Sequence, residues 1–210
     1  MKMRLGGSNW VGYAPNEVLC SLTRLYTETM RKNLLGVLLG LLLLATAHAA
    51  LAGPPTTIYL VRHAEKDLTP GLADPPLTPA GEARAQQLGR LLAKRHPAAL
   101  FTTDTRRTRA TLAPLAQATS LTPEVYDAKN QAALAARLSR EFGRKTVVVV
   151  GHSNTLLPLL TALGVSPLPS EIRDEEYNYL FKVKLRPGQP ARLTMSRYGA
   201  APQAASSNKM

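Results

Sequence analysis

The sequence predicts an α/β protein: a three-layer αβα sandwich built on a mixed, mostly parallel sheet. Three observations carry that expectation. The run "KTVVVVG" (145–151) holds four consecutive valines with no polar alternation, the pattern of a strand covered on both faces near the centre of a largely parallel sheet. A second run, "TTIYLV" (56–61), is β-branched and aromatic and reads as another buried strand. Around these runs, strand-like and helix-like segments alternate, with no internal repeat and no second core.

The elements follow in order. The strand at 56–61 ends abruptly in charge, with Arg62, His63, Glu65 and Lys66, and the proline-rich "DLTPGLADPPLTP" (67–79) reads as a loop walling the space beside His63. Thr78 and Pro79 form a helix start, a side-chain cap followed by a first-turn proline, and the helix over 80–95 places Ala83, Leu88, Leu91 and Leu92 on one face. His96 and Pro97 end it, so His96 is read as an exposed residue at a helix terminus. "AALFTT" (98–103) is a short strand leading into a helix over 104–118. The first turns of that helix carry Arg106, Arg107 and Arg109, where the positive end of the helix dipole disfavours cations and an anion is needed to offset them. A third strand lies near Val125, followed by an amphipathic helix over 130–143 closed by Gly143. After the four-valine strand and His152, "NTLLPLLTALG" (154–164) is a helix stopped at Gly164, and 176–185 and 191–199 read as strands paired around "RPGQP".

The beginning of the chain is of a different kind. Arg31 and Lys32, an apolar run over 34–47 and small residues thereafter are the three regions of a secretory signal peptide, placed at 30–52. Cleavage after Ala49 and cleavage after Ala52 both satisfy the small-residue rule. Residues 1–29 are read as a disordered extension or as sequence ahead of a true start at Met30. The apolar run is shorter than the roughly 20 residues a membrane span needs, which ranks an uncleaved anchor below export. The folded domain is expected over 53–200 and a disordered tail over 201–210.

Without residues 1–52 the remaining 158 residues suffice for one core and contain no cysteine, since Cys20 is the only one. Thiol chemistry and disulfides are thereby excluded from the domain, and an exported chain without disulfides points to a bacterial periplasm. The whole chain has 26 Lys and Arg against 14 Asp and Glu; residues 1–52 hold five and two of these, leaving 21 against 12 and a net charge of +9. That balance favours an anionic partner. Nucleic acid is set aside because the basic residues have no aromatic interleaving and no recognisable binding motif, leaving a small phosphorylated substrate. The three histidines of the domain, His63, His96 and His152, are scattered without metal-ligand spacing, so neither metal nor cofactor is expected.

Two strands ending in histidine, with arginines nearby, point to phosphate chemistry. A neutral imidazole, of reference pKa about 6.5, attacks phosphorus at neutral pH without a separate base, which makes His63 the candidate nucleophile. Arg62 beside it, Arg107 on the following helix, and His152 when protonated would surround the phosphoryl oxygens with positive charge. A carboxylic acid must then protonate the leaving alcohol.

These motifs together resemble the histidine phosphatase superfamily, the phosphoglycerate mutase-like fold, in its shorter first branch. "LVRHAEK" resembles that family's "RHG" or "RHA" signature, and "PLTPAGEARAQQL" the helix that follows it. "FTTDTRRTRATLAPLA" resembles its Ser-x-x-x-Arg-x-x-x-Thr pattern, aligning Thr103, Arg107 and Thr111 and singling out Arg107 from its neighbours, with threonine in place of the usual serine. "VVVVGHSN" resembles the second-histidine motif. The resemblance covers residues 56–199. It implies an αβα sandwich, a transient phosphohistidine at His63, a phosphate pocket of Arg62, Arg107 and His152 with Asn154 adjoining, and no metal.

The proton donor stays open at this point. The "RLxE" context that supplies a glutamate in mutase-type members is absent, which leaves Asp127 as the first candidate, with Glu124 and Glu65 as alternatives and Glu141 read as a solvated helix residue. The expected activity is that of an exported phosphomonoesterase of the histidine acid phosphatase type. Alternatives are a mutase or a phosphohistidine protein phosphatase of the same fold, or a catalytically silent phosphate-binding envelope protein. Substrate choice is expected to lie in the loop over 67–76 and in "PLPSEIRDEEYN" (167–178).

Overall fold

The structure, a computed structural model, describes residues 15–51, 53–166, 168 and 171–201. The chain divides into two compact units, Met1–Gly53 and Pro54–Met210. In the first, α1 spans Pro15–Leu51. Among the described residues no helix is long and apolar enough to cross a membrane. The first part of the extension read at 1–29, the Ala52 cleavage position and the tail from 202 lie outside the described residues.

The second unit alternates as its sequence suggests: β1 (Thr56–Arg62), α2 (Pro79–Ala93), β2 (Ala99–Thr102), α3 (Arg106–Thr119), β3 (Glu124–Val125), α4 (Gln131–Glu141), β4 (Thr146–Gly151), α5 (Ser153–Ala162), β5 (Tyr179–Leu185) and β6 (Arg192–Arg197). The strands form one six-stranded sheet in the order β3-β2-β4-β1-β5-β6. β3, β2, β4 and β1 run parallel, and β5 and β6 join antiparallel at one side.

The unalternating apolar strands are buried on both faces, because a strand turns successive side chains to opposite sides. Ile58, Leu60, Val147 and Val149 face a core completed by Leu134 and Leu138 of α4 and Leu156, Leu159 and Leu160 of α5. Tyr59, Val61, Val148 and Val150 face the opposite core, with Leu88 and Leu92 of α2 and Leu112 and Leu115 of α3. The four valines therefore hold both layers of helices to the sheet.

Two local expectations change. Helix α2 buries Gly81, Arg84, Ala85, Leu88, Gly89 and Leu92, while Ala83 and Leu91 are exposed. The inward face is rotated because a charged residue, Arg84, belongs to it. The left-handed turn after α4 is made by Arg144 at φ 63°, not by Gly143.

Strand order also fixes where a ligand can sit. From β1 the chain leaves through α2 toward β2, while from its neighbour β4 it leaves through α5 on the other face toward β5. The two connections part at the carboxyl ends of adjacent strands, the switch point where crevices open in α/β sheets.

Phe101, fully buried on β2, tests the layer assignment. Phe101→Ala should lower the unfolding free energy by about 3–5 kcal/mol. Exposed Val125→Ala on the edge strand should change it by less than about 0.5 kcal/mol in the same denaturant titration.

Candidate phosphate site at the ends of β1 and β4

The register that pairs Arg62 with Gly151 continues one step further, where the His63 N–H donates to the Gly151 carbonyl at 2.9 Å. His63 and His152 are thereby delivered side by side, with ring centroids 5.3 Å apart and planes at 64°. Helix α2 packs its first turn against the same loop. The Thr78 N–H donates to the Glu65 carbonyl at 2.9 Å, and a Cβ on Gly81 would lie on that carbonyl oxygen, so only glycine fits there.

His63 is buried, with Nδ1 2.8 Å from the Ala64 carbonyl. A carbonyl only accepts, so the proton sits on Nδ1 and the lone pair on Nε2. Burial pushes the His63 pKa down to about 3, against the pull of the Ala64 bond and with help from the charges of Arg62, His152 and Arg107. The ring is a neutral nucleophile at pH 7.

His152 opens α5, and its backbone N–H donates to Thr155 Oγ1 at 2.9 Å. Its Nε2 lies 2.8 Å from Thr103 Oγ1. The Thr108 hydroxyl donates to the Thr103 carbonyl, leaving its oxygen to accept the Thr103 proton. The bond to Thr103 must then come from Nε2–H, which leaves Nδ1 of His152 with the lone pair. Burial foremost, then Arg107, Arg62 and Lys66, hold the His152 pKa near 4, with Asp74 opposing. In the protein alone His152 is therefore neutral at pH 7, and the extra cation foreseen on its protonation requires a bound dianion.

Both arginines are held through their terminal nitrogens. Arg62, 5% exposed, donates from Nη1 to the carbonyls of Arg173 and Asp174 at 2.8 and 3.0 Å and from Nη2 to Asp174 Oδ1 at 3.4 Å. Its guanidinium also lies 4.5 Å from the centre of the Tyr177 ring, which is tilted against His63 at 5.8 Å. Arg107 donates from Nη1 to Asp74 Oδ1 at 3.2 Å. The Nε–H groups of both arginines are buried without an acceptor among the described residues. Thr111, aligned with Arg107 by the sequence pattern, accepts the Ala64 N–H at 2.9 Å and so ties α3 to the His63 loop.

The anion that the arginine-rich start of α3 requires is supplied in part by the protein. Asp74 Oδ2 accepts the Arg106 N–H at 2.9 Å while Oδ1 takes Arg107, and Asp104 pairs with Arg109 at 2.6 Å. Asp74 was not singled out in the sequence; the signal available was a lone carboxylate in the wall loop facing a helix start crowded with cations. Tyr177 and Arg84 were likewise missed.

The structure ties Asp127 elsewhere: exposed, it accepts the Lys129 N–H at 2.8 Å within its own turn. Among the described residues no hydrogen bond or ion pair joins it to His63, Arg62, Arg107 or His152. Of the other acids weighed, Glu124 and Glu141 both pair with Arg137, and Glu65 is gripped by Arg84. Asn154 is exposed in the first turn of α5, beside His152.

Residues 58–128 match the histidine phosphatase superfamily (branch 1). No curated protein matches the chain. Among solved structures, the chain is similar to the putative phosphohistidine phosphatase SixA from Agrobacterium tumefaciens, at 25% identity and TM-score 0.52 over 69% of this chain and 99% of that one. It is similar in fold to mycobacterial glucosyl-3-phosphoglycerate phosphatase, at 16% identity and TM-score 0.55 over 70% and 100%. A putative alpha-ribazole-5'-P phosphatase from Escherichia coli shares the fold at 17% identity and TM-score 0.56 over 69% and 97%.

The geometry makes two predictions. A Cβ on Gly151 would stand 2.7 Å from both Thr155 Oγ1 and Tyr126 Oη, dislodging the hydroxyl that fixes His152. Gly151→Ala should weaken inorganic phosphate binding about tenfold, one charge-assisted hydrogen bond; unchanged affinity by titration calorimetry would show His152 unmoved. In NMR titrations of the protein alone, the rings of His63 and His152 should stay neutral at pH 5, since their pKa values lie near 3 and 4. A midpoint near 6.5 for either ring contradicts the described burial.

Proposed function

Because residues 58–128 match the histidine phosphatase superfamily (branch 1), we propose that the chain hydrolyses phosphomonoesters through a phosphohistidine on Nε2 of His63. One observation carries this reading: a buried, neutral imidazole lies among two arginines whose Nε–H donors have no acceptor among the described residues. A phosphoryl group seated there supplies acceptors for both.

Nε2 forms a bond to phosphorus as the bond to the ester oxygen breaks, and the departing oxygen takes a proton from a carboxylic acid. Water then displaces the histidine, releasing phosphate and restoring Nε2. The arginines stabilise charge on the equatorial oxygens throughout. A bound dianion raises the His152 pKa, so Nδ1 takes up a proton and donates it in a hydrogen bond to a phosphoryl oxygen. Asn154, exposed in the turn that follows His152, is assigned to contact with the leaving group. Export is also proposed; the leader-like sequence over 30–52 supports it.

For the proton, sequence order points to Asp127, while the bond to Arg107 places Asp74 at the pocket. We assign the role to Asp74, whose carboxylate takes up a proton from solvent as the phosphoryl dianion binds beside it and then gives that proton to the departing oxygen. Asp74→Asn should cost about 10²-fold on an alkyl phosphate and far less on an aryl phosphate whose leaving group needs no proton. If Asp127→Asn shows that split and Asp74→Asn does not, Asp127 is the donor.

His63→Ala should abolish turnover of an aryl phosphate, and the wild type quenched in alkali during turnover should carry one phosphoryl group on His63 by mass spectrometry. Retained activity in the variant sinks the mechanism. The likeness to a putative phosphohistidine phosphatase favours a second reading, removal of phosphate from protein histidine. A phosphohistidine peptide turned over faster than every phosphomonoester tried would establish it.

A further inference from the structure

Next to the phosphate site, on the Arg62 side, lies a cavity of about 730 Å3 that a phosphoryl group alone does not fill. Arg62 and Tyr177 line it, and the Tyr177 ring lies against His63 at 5.8 Å, so the cavity adjoins the candidate nucleophile. One wall is the ion pair of Arg84 with Glu65, at 2.6 Å. The same guanidinium holds the end of the domain in place, donating to the carbonyls of Tyr198 at 2.8 Å and Ala200 at 3.0 Å.

The charges lining this cavity cancel in pairs with one exception. Arg84 is neutralised by Glu65, Arg62 by Asp174 at 3.4 Å, and Glu175 by Arg173 at 3.3 Å. Lys66 is left over. Its backbone is fixed by a bridge to Leu77 across the base of the wall loop, yet its ammonium makes no hydrogen bond or ion pair with any described residue. It lines the cavity together with Arg62, close enough to the pocket for its charge to help keep His152 unprotonated. The arginines and His63 already account for a phosphoryl group, so the ammonium of Lys66 is not needed to hold it.

We propose that the leaving group of the natural substrate occupies this cavity and carries a second anionic group, a carboxylate or a second phosphate, bound by Lys66. The inference rests on the phosphomonoesterase reading. It assigns Lys66 to substrate choice, with Arg84 and Glu65 as the rigid wall behind it.

The test compares kcat/KM of the full chain on phenyl phosphate, 4-carboxyphenyl phosphate and 4-phosphonophenyl phosphate. The wild type should favour at least one anionic ester over the neutral one by about tenfold, the worth of one charge-assisted contact. The better of the two identifies which anion the subsite takes. Lys66→Gln should bring the ratio close to one, and Lys66→Glu should bring it below one. A wild-type ratio near one, or a ratio that both variants leave unchanged, overturns the proposal while leaving the phosphatase reading intact. Absence of turnover on all three esters, with no phosphoryl group trapped on His63, overturns both.

Discussion

The pocket depends on the register of one parallel strand pair. Arg62 stands opposite Gly151, and the next backbone bond, from His63 to Gly151, aligns the two histidines. Side chains alternate along a strand, so sliding β4 by one residue would send His152 to the other side of the sheet. That slip is opposed by apolar packing rather than by anything in the site. Ile58 and Leu60 must face α4 and α5, Tyr59 and Val61 must face α2 and α3, and each valine of β4 fills one of these layers. The chemistry is aligned by the hydrophobic effect acting several residues away.

Crowding positive charge around two imidazoles has a cost. Two like charges about 4 Å apart repel by about 4 kcal/mol at an effective dielectric constant of about 20. The fold limits that cost in two ways. Burial and the neighbouring cations keep His63 and His152 neutral, and Asp74 and Asp174 each stand against one arginine. What keeps the unliganded site stable also prepares it for reaction: a neutral His63 is nucleophilic, and an incoming dianion reverses the balance that keeps His152 unprotonated.

Much of this was legible in the sequence, for identifiable reasons. Four valines without alternation placed β4 at the centre of the sheet, and two apolar runs ending in charge placed both histidines at strand ends. The spacing of Thr103, Arg107 and Thr111 selected one arginine from three, and the structure gives each of the three a bond at the site. Residues whose roles depend on distant partners were not legible. Asp74 lies 33 positions from Arg107 and meets it only because the wall loop folds over the start of α3. Arg84 was not singled out, because a charge inside a helix normally faces water. It is buried because Glu65 and two carbonyls at the end of the domain satisfy its donors. That one substitution of charge for apolar surface rotated the face of α2 and left Ala83 and Leu91 outside.

The two arginines of the pocket are held by unrelated segments, and the difference matters. Arg62 hangs from backbone carbonyls of Arg173 and Asp174, in a segment anchored by buried Glu176. Burial alone would raise the Glu176 pKa, but the Arg173 N–H and the side chains of Arg173 and Arg197 prevail and pull it to about 2. The segment is therefore anchored by a carboxylate that stays ionised across the whole functional pH range. Arg107 instead leans on Asp74, a half-buried side chain on a proline-rich loop. A ligand that replaces Asp74 against Arg107 frees that carboxylate and its loop, whereas Arg62 keeps its carbonyl partners when a phosphoryl group arrives. The pocket thus joins one cation held by backbone carbonyls to one held by a side-chain carboxylate, the carboxylate assigned to proton transfer.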